Sequence, residues 1–239
     1  MKSVDNMESM ARDFYLNGCS IGQWKQTKTY NKAMQSLKEI YLENLKDGFT
    51  LEQKYPYSKD LRPYAWEYDS SFIDMLFENN IHNIIKKVVS ANVYLTHIQV
   101  RNVSAFPDNK TSYMEWHRDS HNYNNNPTGN FPPGYKIIFY PNFGEQEDSV
   151  LSVVPGSHRK VFANQKEDYE QIKPENTFTI NNSDTDFILF NVGLMHSTGP
   201  AKTKNIRIIY NFIHECALHK YDDQAGCLKK WKEGCIKYG

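Results

Sequence analysis

Two residue types that bind metal stand two apart in the run Met114-Glu115-Trp116-His117-Arg118-Asp119-Ser120-His121. In a strand, successive side chains alternate faces, so His117 and Asp119 point the same way and can hold one metal ion. Alone, the pair fits a solvated polar strand face equally well, because H-x-D recurs by chance. A second histidine changes this. His196 follows the apolar run Phe187-Ile188-Leu189-Phe190 and a turn at Gly193. Two histidines and one carboxylate, with other coordination positions open, form the facial ligand set of non-haem Fe(II) oxygenases. Arg207 lies eleven positions further on, among Ile206, Ile208 and Ile209. A guanidinium on an apolar strand is costly to bury unless an anion meets it, and a dicarboxylate co-substrate would supply one.

The elements that must position these residues follow from periodicity. Helical spacing of apolar residues predicts helices over Tyr30–Leu45, with a stop at Lys46-Asp47-Gly48, and over Ser71–Val89. The stretch between them carries Pro56 and Pro63 and many aromatics, and reads as irregular but packed. After residue 90 the pattern becomes β-rich. Strands are predicted at Val93–Val103, Ser112–Asp119, Tyr135–Tyr140, Ser149–Val154, Thr177–Ile180, Phe187–Val192 and Ile206–Ile213. Pro-Asp-Asn, Pro-Pro-Gly, Pro-Gly and Gly-Pro turn signals separate them. Short strands with such turns predict a mainly β sandwich, barrel or jelly roll, with helical additions packed on one sheet. No repeat or linker divides residues 1–239, which read as one domain: a helical part over 1–90, a β core over 91–214 and a C-terminal extension over 215–239.

The run Val153-Val154-Pro155-Gly156-Ser157-His158-Arg159 lies between the two metal-binding segments. The ordered set WHRD, VVPGSHR and His196-Ser197-Thr198-Gly199-Pro200 with Arg207 resembles the phytanoyl-CoA dioxygenase family over roughly residues 90–214. That resemblance implies a double-stranded β-helix (jelly-roll, cupin-like) core and an Fe(II)- and 2-oxoglutarate-dependent oxygenase consuming O2. It implies that His117, Asp119 and His196 hold iron and that Arg207 meets the distal carboxylate of 2-oxoglutarate. Thr198 would contact the same carboxylate, with Gln99 and Tyr135 as further co-substrate contacts. One departure is Glu145-Gln146-Glu147-Asp148-Ser149, where the family usually has Asn-Gly. Halogenating relatives lack the metal carboxylate, so Asp119 favours hydroxylation; desaturation, ring closure and epimerisation stay open. Family substrates range over acyl-CoA thioesters, amino acids, natural-product intermediates and sugar derivatives. No clear CoA-binding basic cluster stands out, and the polar segment 122–134 fits a small polar metabolite better. It leaves directly from the metal strand and could form a lid, with Tyr123 facing substrate. His121 could touch substrate or the iron surroundings, or be a satisfied polar histidine. A non-catalytic metal-containing jelly-roll binding protein, a metal-dependent isomerase or hydrolase, and an oxygenase of acyl-CoA are the alternatives.

Composition narrows the classes further. Among 239 residues, 28 Lys+Arg balance 28 Asp+Glu, which argues against nucleic acid as a partner. An aromatic content of 14% excludes a disordered chain. The start lacks an apolar leader and no apolar run is long enough to span a membrane, so the expected location is cytoplasmic with reduced thiols. His214, Cys216, His219, Cys227 and Cys235 match no common zinc spacing and read as unpaired thiols and histidines. His158 reads as a turn residue after Pro-Gly, and His97 as structural. Nothing in the sequence fixes an oligomeric state.

Overall fold

A computed structural model of the chain describes residues 2–46, 58–62, 64–103, 116–119, 134–141, 151–180, 185–198, 205–223 and 226–239. The elements run α1 (Lys2–Asn17), β1 (Cys19–Gln23), α2 (Lys28–Lys46), β2 (Ser58–Arg62), α3 (Ala65–Tyr68), α4 (Ser71–Glu78), α5 (Ile81–Val89), β3 (Val93–Val103), β4 (Gly134–Phe139), β5 (Leu151–Val153), α6 (Gln165–Glu170), β6 (Phe178–Ile180), β7 (Asp186–Asn191), β8 (His196–Thr198), β9 (Asn205–His214) and α7 (Cys227–Tyr238). Two antiparallel sheets result, a six-stranded one ordered β1-β7-β4-β9-β3-β2 and a three-stranded one ordered β6-β5-β8. This is the double-stranded β-helix with helical additions.

The central strands β4 and β7 of the large sheet are buried on both faces, which is why they read as near-continuous apolar runs. On the outer face, Leu95, Val100, Ile137, Phe139, Leu189, Ile208 and Tyr210 join one core with the helix residues Phe14, Leu37, Phe72, Leu76 and Ile85. On the inner face, Ile138, Tyr140, Ile188, Phe190 and Ile209 meet Leu151, Val153 and Ile180 of the small sheet. Helix α7 closes the outer core: Trp231 is 1% exposed and its Nε1 donates to Val93 O at 3.0 Å.

Two predicted elements change. The helix over Ser71–Val89 is broken into α4 and α5 because Asn80 takes φ 58°, a left-handed conformation that Asn tolerates. Asn79 stabilises the break, donating from Nδ2 to Met75 O at 3.0 Å and accepting from Lys25 N at 2.5 Å. The helical N-terminal part also contributes strands: β1 pairs with β7 and β2 with β3, at the two edges of the large sheet. Gly22 permits the first pairing, since a Cβ there would lie 2.3 Å from the Phe187 ring. Of the predicted strand Ser112–Asp119, residues 116–119 are described, and they join β8 through one bridge at His117. No helix among the described residues is long and apolar enough to cross a membrane.

Candidate metal centre

Backbone pairing brings the two histidines together. His117 N donates to His196 O and His196 N donates to His117 O, both at 2.9 Å, so the side chains leave the small sheet side by side. Their ring centroids are 4.3 Å apart. Asp119, two residues along on the same face, puts Oδ1 3.9 Å from His117 Nε2 and Oδ2 3.6 Å from His196 Nε2. One ligand atom from each of the three lies within 4.8 Å of the others. Among the described residues this is the only group of three or more such ligands. The C-terminal histidines and cysteines do not converge, and all four cysteines are free.

The protonation states suit a divalent cation. His196 Nδ1 lies 2.9 Å from Leu194 O; a carbonyl only accepts, so Nδ1 carries the proton and Nε2 keeps its lone pair toward the centre. Burial pushes the His196 pKa down to about 4, against the pull of Asp119, so the ring is neutral at pH 7. Burial alone would raise the Asp119 carboxyl, but the Lys136 ammonium, then His196, overcome it and hold it at about 2. Asp119 is exposed as a residue, yet its side chain is only 23% exposed. Its ion pair with Lys136 Nζ, at 2.8 Å from Oδ2, is therefore sheltered.

Arg207 and Thr198 form a second cluster. Both are buried, and Arg207 NH1 donates to Thr198 Oγ1 at 3.2 Å. Arg207 lies on the inner-facing side of β9, directly across the ladder from Arg101 of β3. Arg207 Nε is buried with no hydrogen-bond partner, and so is the hydroxyl of Tyr140. The register that pairs Phe139 with Ile208 brings Tyr140 alongside Arg207. Buried orphan donors are rare. Here the Arg207 guanidinium and the Tyr140 hydroxyl, beside the Thr198 hydroxyl, fit a carboxylate.

Of the other predicted site residues, Gln99 is on the inner-facing side, accepting from Asn211 Nδ2 at 3.3 Å. Tyr135 is not in the site. It belongs to the outer core, with its ring 5.9 Å from that of Phe14. The alternation of β4 turns its neighbour Lys136 inward instead, and Lys136 is the residue that sequence reasoning missed by one position. Tyr140 was missed as well; it is a polar side chain in a predicted strand whose facing is set by register. His121 and Tyr123 lie outside the described residues. His158 follows Gly156, which takes φ 75°, in the short 3-10 turn Ser157–Arg159. His97 sits at a bulge in β3, its ring 6.3 Å from Tyr64.

The sequence matches the family model described as phytanoyl-CoA dioxygenase (PhyH) over residues 25–209, a span that includes His117, Asp119, His196 and Arg207. No curated protein matches. In three dimensions the chain is similar to EvdMO1, with a TM-score of 0.62 and 18% identity over 88% of this chain and 50% of that one, so it spans about half of EvdMO1. It is similar to HygX from Streptomyces hygroscopicus, crystallised with nickel, 2-oxoglutarate and hygromycin B, with a TM-score of 0.60 and 14% identity over 87% of each chain. It is also similar to the epimerase SnoN, crystallised with Fe3+, alpha-ketoglutarate and nogalamycin RO, with a TM-score of 0.62 and 10% identity over 87% of this chain and 83% of that one. At these identities the likeness is one of fold.

Proposed function

The chain belongs to the phytanoyl-CoA dioxygenase family, and from that premise we propose that it is an Fe(II)- and 2-oxoglutarate-dependent oxygenase. The reading is that it hydroxylates an unactivated C–H bond of a small polar metabolite or biosynthetic intermediate, such as a sugar, amino-acid or natural-product derivative. The observation that carries it is the joint one: three metal-ligand side chains converge, and the same barrel interior holds a buried arginine beside an orphaned phenol.

In this reading His117, Asp119 and His196 are the iron ligands, and Arg207, Thr198 and Tyr140 receive the distal carboxylate of 2-oxoglutarate. The iron with its co-substrate and O2 supplies the oxidising power that no side chain has. The protein's own part is to bind, orient and exclude water. The Leu194 carbonyl fixes the His196 tautomer, and Lys136 keeps Asp119 ionised. Arg207 offers a planar fork suited to two carboxylate oxygens. Ile138, Ile188, Phe190, Val153 and Ile209 wall the interior with apolar surface, which strengthens each of these charges by excluding solvent. Gln99, through Asn211, extends the polar lining between Lys136 and Arg207. Asp119 would supply the carboxylate ligand that halogenating relatives lack, which favours hydroxylation. Among the proposed substrate classes a natural-product derivative has support from the similarly folded HygX, crystallised with hygromycin B, and SnoN, an epimerase from nogalamycin biosynthesis crystallised with nogalamycin RO. His121 and Tyr123 remain the substrate-facing candidates. Residues 1–239 act as one catalytic domain.

Anaerobic addition of Fe(II) and then 2-oxoglutarate tests the reading. A weak visible charge-transfer band should appear only with both present, and aerobic turnover should release succinate. Tight zinc binding with no such band would instead indicate a non-catalytic metal protein.

A further inference from the structure

The middle residue of the H-x-D segment points away from the metal face, because strand neighbours alternate. Here that residue is Arg118, and it is 4% exposed. A guanidinium so buried needs a full set of acceptors. Asp168 of α6, itself fully buried, accepts from Nε at 2.6 Å and from NH2 at 2.7 Å, a two-pronged pair. NH1 donates to Ser157 O at 2.9 Å and to Gly193 O. The Phe162 ring lies 5.6 Å from the guanidinium carbon, and Gln171 donates to the second oxygen of Asp168.

These partners are the segments that carry or brace the other ligand. Gly193 is in the turn from β7 to β8, three residues before His196. Ser157, in the turn after β5, accepts on Oγ from Met195 N at 2.9 Å, one residue before His196. Among the described residues, the 116–119 segment joins β8 by the single His117–His196 bridge. Arg118 adds to that bridge, tying the segment to both turns, while Asp168 holds the guanidinium from the far side. Asn164 in turn anchors α6, its side chain accepting from Glu167 N at 3.0 Å.

We propose that the Arg118–Asp168 pair is a positioning clamp that holds His117 and Asp119 in register with His196 and thereby sets the affinity of the site for its metal. Neither residue touches the metal. The clamp rests on the reading of His117, Asp119 and His196 as metal ligands. Outer partners of metal ligands typically contribute 10–100-fold in affinity, and the clamp carries an effect of that size. A merely structural ion pair would affect folding and leave the affinity of the folded protein alone.

The test is titration of the metal-free full chain with Mn(II), read by electron paramagnetic resonance, alongside circular dichroism and melting of the same samples. Asp168→Asn keeps the shape but removes the charge and should weaken Mn(II) binding about 10-fold or more. Should Asp168→Asn not fold, the double variant Arg118→Met/Asp168→Leu decides. It replaces the pair with apolar side chains of similar reach, so the melting temperature should recover while the weak Mn(II) affinity persists. Parent-like affinity in either folded variant overturns the clamp. Failure of the parent itself to bind Mn(II), or binding unaffected by Asp119→Ala, overturns the metal site and the clamp with it.

Discussion

Lys136 places its ammonium 2.8 Å from Asp119 Oδ2 on the inner side of β4, and this ion pair is the largest opposition to burial of the Asp119 carboxylate. Asp119 is held at about 2 against an ordinary 3.8, and His196 at about 4 against 6.5. Both shifts are downward, so on acidification the unfolded chain takes up protons before the folded one does. Stability therefore falls as pH drops, first through the 6.5-to-4 window from His196, then through the 3.8-to-2 window from Asp119. The melting temperature of the metal-free protein should decline across both windows. Lys136→Met removes the largest opposition to burial and raises the Asp119 pKa, so it should flatten the decline below pH 4. Parallel parent and variant curves in that range would count against the ion pair.

Arg207 should contribute to co-substrate binding far more than to metal binding. Truncating one side of a buried charge contact costs about 2 kcal/mol or more, roughly 30-fold in affinity. Arg207→Ala should raise the 2-oxoglutarate requirement by at least that factor and leave Mn(II) affinity near the parent's. Arg207→Lys should recover only part of it, because a point charge replaces a fork. Equal losses in metal and co-substrate binding would show Arg207 to be structural.

Much of this centre could be read from residue types and strand alternation. His117, Asp119 and Arg207 are polar groups in strand segments, and such groups need partners wherever they are buried. What alternation cannot give is which face of a doubly buried strand looks inward. In β4 the run Tyr135-Lys136-Ile137-Ile138-Phe139 carries apolar residues on both sides, so which of Tyr135 and Lys136 looks inward is decided only by the outer helices, and it is Lys136. The Arg118–Asp168 pair was equally hidden: its members are 50 residues apart, and no local pattern links them. The break at Asn80 depends on a backbone conformation that the surrounding apolar spacing does not signal.

Tyr140→Phe should produce two effects of opposite sign. The hydroxyl is buried without a partner, so its removal relieves a desolvation penalty of about 1–3 kcal/mol. The metal- and co-substrate-free protein should melt higher. If the hydroxyl meets the co-substrate carboxylate, 2-oxoglutarate binding should weaken about 10-fold, since hydrogen bonds to charged groups contribute about 1.5–3 kcal/mol. A stabilised variant with unchanged 2-oxoglutarate affinity would remove Tyr140 from the pocket.

Trp231 tests whether α7 belongs to the core. It is buried, stacks edge-on against Phe212 at 5.5 Å and caps Val93 O. Trp231→Ala should cost about 3–5 kcal/mol, read as a lower denaturation midpoint in urea. Loss below about 1 kcal/mol would mean that the site collapses without a cavity.

Asp119 and His196 should separate ligation from folding. The Asp119 side chain is partly exposed, so Asp119→Ala opens no sizeable cavity and should still fold. It should melt below the parent at pH 7, because it removes the sheltered pair with Lys136 and the stability that goes with the depressed carboxyl pKa. The folded variant should release no succinate in the presence of Fe(II), 2-oxoglutarate and O2, because a site built around this carboxylate loses its anionic ligand and leaves Lys136 facing the metal position. His196 is buried with its ring 5.1 Å from Phe190, so His196→Ala opens a cavity as well. It should lose both succinate formation and thermal stability. The informative contrast is Asp119→Ala: a folded chain without turnover assigns the carboxylate to the metal, whereas full succinate release from that variant would leave the proposed oxygenase without its third ligand.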